Sequence, residues 1–119
     1  MIPMKTMAEK RKHRRVPVKF KVDWKSEGTF LFEKATNISE HGIFIETQEP
    51  MPPGTMIDLQ FTIPDKPKKI VVLGKVAWVN PVRATSDSNY NPGMGIRFEN
   101  LKEIDRDTIL SLIKRIAVL

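Results

Sequence analysis

The stretch Val16-Pro17-Val18-Lys19-Phe20-Lys21-Val22-Asp23-Trp24-Lys25 decides the fold. Val16, Val18, Phe20, Val22 and Trp24 fall on alternate positions, while Lys19, Lys21, Asp23 and Lys25 take the positions between them. A period of two puts every apolar side chain on one face of an extended strand and every charge on the other. The segment is therefore a strand with one dry face, and it needs partners to cover that face.

Downstream the same grammar repeats. Glu27-Gly28 reads as a tight turn, and a second strand follows over about 29–36, with Phe30 and Phe32 on one side and Leu31 on the other. Ile43-Phe44-Ile45-Glu46-Thr47 is β-branched and aromatic enough for a third strand. Pro50, Pro52, Pro53 and Gly54 close it with a turn that no strand interior accepts. Ile57, Leu59, Phe61 and Ile63 alternate with polar residues as a fourth strand. The fifth, about 70–79, is apolar on both registers, which predicts cover on both faces over part of its length. A polar loop spans 80–92, and Met94, Ile96 and Phe98 alternate as a sixth strand.

The period changes only after Leu101. Ile109, Leu112, Ile113 and Ile116 stand at i, i+3, i+4 and i+7, Asp105 is placed to cap the start, and Lys114 and Arg115 suit the negative end of the helix dipole. The sequence thus predicts a mainly β protein: a small six-stranded antiparallel β-barrel, a C-terminal α-helix on it or across one opening, and a flexible basic N-terminal arm. The boundaries are a tail at 1–8, then one domain over 9–117, with the arm at 9–15, the barrel at 16–100 and the helix at 104–117.

Composition bounds the function. The chain has 119 residues and a net charge of +6. Nine basic and two acidic side chains lie within residues 5–25, against 11 basic and 12 acidic elsewhere, so a nearly neutral body carries a charged arm. With no cysteine there is no disulfide, thiolate metal site or cysteine nucleophile, which suits a cytoplasmic protein. His13 and His41 stand far apart, which argues against a metal site. No apolar run approaches the about 20 residues of a membrane span, and no apolar region of an export signal follows the N-terminal basic residues. Acidic residues are dispersed, no nucleophile motif occurs, and Gly93-Met94-Gly95 lacks the third glycine of a phosphate loop. The reading is of a binding protein and not an enzyme, with neither metal nor cofactor.

Two motifs remain. Arg11-Lys12-His13-Arg14-Arg15 holds two arginines four apart just before the first strand; the guanidinium fork matches phosphate oxygens or the O6/N7 edge of guanine. Asn37-Ile38-Ser39-Glu40-His41-Gly42 joins the second and third strands. Its Asn and Ser side chains can bond to nearby backbone or project as hydrogen-bonding groups for a polar heterocycle and phosphate. Trp24 and Trp78 both fall on the apolar register of a strand, which predicts core packing for each, although a tryptophan can also stack on a purine.

An R-x-x-x-R arm followed by [D/N]-x-S-x-x-G in a small barrel resembles the PilZ domain family. Val16-Pro17-Val18, Ala77-Trp78-Val79, Gly93-Met94-Gly95-Ile96-Arg97-Phe98 and the closing helix look like that family too. The resemblance implies a receptor for the bacterial second messenger cyclic di-GMP, with Arg11 and Arg15 from the arm and Asn37, Ser39 and Gly42 from the turn as ligand-binding residues. Lys10, Lys12, Arg14 and His41 stand beside them as further contacts. In these roles the arginines donate to phosphates and Hoogsteen edges, Asn37 accepts from guanine N–H groups, Ser39 bonds phosphate or base, and Gly42 keeps the wall clear of a Cβ. Asn37 replaces the Asp that many members carry, a change worth about 1 kcal/mol of binding. Lys10 stands where many have arginine. Signalling would run through ordering of the arm and altered contacts with a downstream protein partner. The alternatives are a nucleic-acid-binding barrel, disfavoured because the charge beyond residue 25 is balanced, and a ligand-independent protein-interaction adaptor.

Overall fold

The computed structural model describes residues 15–26, 28–63, 68–82 and 91–117. The tail, and the arm positions Lys10, Arg11, Lys12, His13 and Arg14, lie outside the described residues, as do 83–90 of the loop expected over 80–92.

Six strands form: β1 (Val16–Ser26), β2 (Thr29–Ile38), β3 (Gly42–Glu46), β4 (Met56–Thr62), β5 (Lys69–Asn80) and β6 (Gly93–Phe98). Every neighbouring pair is antiparallel, and the order β1-β2-β3-β6-β5-β4 closes into a barrel. Closure gives every strand a hydrogen-bonded neighbour on both sides, although β1 meets β4 only over Val22–Lys25. The alternation in β1 sends Val22 and Trp24 inward, where both are fully buried with Ile38, Ile45, Leu59 and Met94. Phe61 stacks between Phe20 and Phe98, with ring centroids 5.6 and 6.3 Å away. Gly28 (φ 84°) and Gly54 (φ 94°) turn the chain in the left-handed region that favours glycine.

Helix α1 (Glu103–Ala117) follows β6 directly. Ile109, Leu112 and Ile113 are buried in the barrel's own core cluster. Ion pairs fix the start of the helix against two turns at the same end of the barrel. Arg106 Nε lies 3.9 Å from Glu40 between β2 and β3, and Lys68 Nζ lies 3.7 Å from Asp105 just before β5. Asp105 does not cap the helix as expected. The first turn begins two residues earlier, with the Arg106 N–H bonded to the Lys102 carbonyl, and leaves Asp105 buried inside that turn, beside the positive end of the dipole.

The fifth strand is also not covered on both faces. Ile70, Val72 and Val76 point into the barrel, whereas Val71 and Trp78 are exposed on the outer surface. Between Val76 and Trp78 the register with β6 shifts, so that Ala77 and Trp78 together oppose Gly95. This bulge adds one residue, and a one-residue shift turns the side chains that follow to the other face. Trp78, expected in the core, is therefore delivered to the surface.

Glu33 on β2 is partly buried, which pushes its carboxyl above the ordinary range; Glu49 adds to the rise and a hydrogen bond from Thr47 opposes it. A carboxyl with a raised folded-state pKa holds its proton more tightly folded than unfolded. Its ionisation thus destabilises the fold above that pKa and has no effect below the unfolded value. Glu33→Gln is expected to raise stability at pH 7 and to change little at pH 3, as read by urea unfolding at both values. An equal change at the two would show that packing, not charge, is at work.

Candidate functional site

On the outer surface, one row crosses four strands. Asn37 pairs with Phe44, Phe44 with Gly95, and Gly95 with Trp78. Register shifts mark both ends of the row, between Ala35 and Asn37 on β2 and between Val76 and Trp78 on β5. Bulges aim side chains and commonly stand beside binding sites. Here they turn Asn37 and Trp78 toward the same groove.

Trp78 stacks on Phe44, with centroids 5.2 Å apart and planes inclined by 20°, and keeps 41% of its surface exposed. It lies across Gly95: a Cβ there would come within 2.3 Å of the indole ring. The smallest residue on β6 thus makes room for the largest on β5. An aromatic plane is left facing solvent on a rigid sheet, a surface suited to a flat heterocycle.

The turn from β2 to β3 forms one wall. Ser39 is buried; its N–H donates to the Gly42 carbonyl at 2.9 Å, and its Oγ accepts from the His41 N–H at 3.1 Å. The hydroxyl proton stays available to a ligand oxygen while the backbone bond holds the oxygen in place. His41 is exposed, and its carbonyl accepts from the Phe98 N–H at 2.8 Å, which ties the turn to β6. Gly42 is held by a tight packing constraint. It lies within β3 opposite Arg97, and a Cβ would stand 2.3 Å from the backbone oxygen of Ile96. The glycine lets β3 and β6 approach, and it also lines the groove.

Arg15, immediately before β1, is exposed and lines the groove with Asn37, Ser39, His41 and Gly42. Arg97 of β6, paired with Gly42, adds a second guanidinium, held by Glu99 at 3.2 Å. The described lining contains no carboxylate, so the groove is cationic and partly aromatic. All the expected site residues that are described thus meet in one place. Sequence reasoning missed Trp78, Phe44 and Arg97. The period-two pattern assigned Trp78 inward because a bulge leaves no mark in that pattern, and only the facing Gly95 hints at it.

Among the described residues no helix is long and apolar enough to cross a membrane. Comparison with solved structures finds the same fold in the Bacillus subtilis inhibitor of motility MotI/DgrA (TM-score 0.74, 16% identity, 88% of this chain). It also finds the PilZ domain of YcgR from Escherichia coli, solved with c-di-GMP (0.69, 13%, 90% of this chain and 91% of that one). A third is the PilZ domain of CeSA from a cellulose-synthesising bacterium (0.57, 11%, 83% and 93%). The chain spans 50% of the length of the motility inhibitor. A comparison with curated proteins finds no match. The family model described as the PilZ domain matches residues 9–115, from the arginine arm through the barrel to the closing helix, and the chain belongs to that family.

Proposed function

We propose that the protein is a receptor domain for cyclic di-GMP, which it takes on the groove between the β2–β3 turn and Trp78. The meeting of Arg15, Asn37, Ser39 and Trp78 in that groove carries the reading. Each supplies something the ligand lacks in water-free contact: Arg15 paired donors for phosphate or a guanine Hoogsteen edge, Asn37 an acceptor for guanine N–H groups, Ser39 a fixed hydroxyl, and Trp78 a stacking plane.

The groove is open and has a volume of about 170 Å³. Pockets that enclose ligands of drug size occupy roughly 300–1,000 Å³. The barrel therefore forms one wall of the nucleotide site, and the chain that enters at Arg15 supplies the other, with Arg11 as its second guanidinium and Lys10, Lys12 and Arg14 adding positive charge. Fixing that arm costs roughly 1–2 kcal/mol per residue, which several charge-assisted hydrogen bonds offset. Binding brings the arm onto the barrel surface, and that change is the signal a downstream protein reads.

Calorimetric titration with cyclic di-GMP tests the reading. Arg15→Ala is expected to weaken binding by about 2 kcal/mol, near thirtyfold, because a charge-assisted contact is lost. Hydrogen exchange at residues 5–15 should slow when the nucleotide is added. A duplex DNA that binds in place of the nucleotide, with steep salt dependence, contradicts the proposal.

A further inference from the structure

The barrel has a second outer face with distinctive chemistry, across from the groove. In the closed order β1-β2-β3-β6-β5-β4, strand β1 lies diametrically opposite β6 and β4 opposite β3. On the outer side of these strands Phe32 pairs with Asp23, Asp23 with Gln60 and Gln60 with Val71, a row with an exposed apolar residue at each end: Phe32 is 69% exposed and Val71 59%. Beside it Lys34 pairs with Lys21, and Thr62 with Lys69. Two lysines directly opposite on neighbouring strands repel each other, a cost the fold carries although Lys34 also lies 3.9 Å from Glu46.

Between β1 and β2 these side chains border an open depression of about 660 Å³, lined by Lys19, Phe20, Lys21, Phe32, Glu33 and Lys34. A second depression runs on across β1, β4 and β5, past Lys21, Asp23, Gln60, Thr62 and Lys69. The face thus combines ammonium groups on flexible stems with an aromatic ring that stands out from the sheet.

We propose that this face docks on an anionic lipid bilayer. Phe32 enters the headgroup layer, while Lys19, Lys21, Lys34 and Lys69 meet lipid phosphates. The charge match favours an anionic partner, each lysine near such a surface contributing about fivefold to affinity. The face is convex because the barrel is closed, and a deformable headgroup layer conforms to a convex surface. A nucleic acid suits it less: single-stranded bases need a series of exposed stacking rings, and among the described residues of this face Phe32 is the exposed aromatic. Docked in this way, the groove on β3 and β6 stays turned toward water, so lipid contact and ligand binding do not compete for surface.

Sedimentation with vesicles tests the proposal on the full chain. At about 0.1 M salt, where surface charges are still felt, the protein should pellet with phosphatidylcholine vesicles containing one-third phosphatidylglycerol and not with phosphatidylcholine alone. The triple variant K21Q/K34Q/K69Q should bind about a hundredfold more weakly, Phe32→Ser should bind several-fold more weakly, and the helix control K102Q/K114Q should match the parent. All replaced side chains are exposed or polar, and a thermal melt confirms that each variant folds. Three results overturn the proposal: no pelleting with anionic vesicles; parental binding by the triple variant, which would assign the bilayer to the basic residues ahead of β1; or a duplex DNA that displaces the vesicles through the same lysines.

Discussion

Trp24→Ala is expected to lower the unfolding free energy by about 4 kcal/mol, the range found when a large aromatic is deleted from a core. The ring is fully buried in the barrel interior, on the strand that pairs with both β2 and β4, so its removal leaves a cavity that three strands border. A closed barrel has little freedom to collapse into that space, because moving one strand breaks the ladder with its neighbours on either side. Trp24 Nε1 is buried and has no hydrogen-bond partner among the described residues. The ring is buried on every side, so Trp24→Phe, which keeps most of the packing surface, should cost far less than the alanine. Stabilities of small domains are about 5–15 kcal/mol, so a loss of this size removes between about a quarter and most of the total. Urea unfolding of the three proteins checks this. Equal losses for phenylalanine and alanine would show that the indole N–H matters after all.

Gly42→Ala is expected to cost about 3 kcal/mol and to remove ligand binding with it. The methyl would sit 2.3 Å from the Ile96 carbonyl oxygen, a backbone atom that cannot step aside as the end of a side chain can. Relief requires β3 to part from β6 at their shared end, and overpacking of this kind costs about 1–3 kcal/mol or more. The same movement breaks the bond from the Phe98 N–H to the His41 carbonyl and shifts Ser39, whose N–H is held by the Gly42 carbonyl. Binding is thus lost through the scaffold. A thermal melt without ligand separates this from direct ligand exclusion: a Tm unchanged from the parent would assign Gly42 to ligand contact and contradict the structural role.

What the sequence made legible follows from solvent. Val16 to Trp24 could be placed on one face because their neighbours are charged, and the same contrast located β4, β6 and the buried stripe of α1. The Asn37–Gly42 turn was legible as a site because arginines four apart precede it. Trp78 and Arg97 were not legible. The bulge that turns Trp78 outward depends on where β5 pairs with β6, a tertiary fact that a local period does not carry, and Val71 shows the same failure on a strand rich in apolar residues on both registers. Gly42 reads in the sequence as turn glycine, yet its constraint comes from a carbonyl more than fifty residues away. Ser39 was ambiguous between bonding its own turn and serving a ligand; its oxygen holds the turn while its proton remains to be donated.

On the proposed function, one outer groove, built by two bulges and the β2–β3 turn, binds cyclic di-GMP. Amide shifts of the labelled protein during titration with the nucleotide test it most directly. Changes should concentrate at Asn37–Gly42, Ala77–Trp78 and Gly95–Arg97, and the Trp78 indole resonance should move while the buried Trp24 resonance stays. Changes centred on Lys21, Phe32 and Lys34, or none at saturating nucleotide, would contradict it.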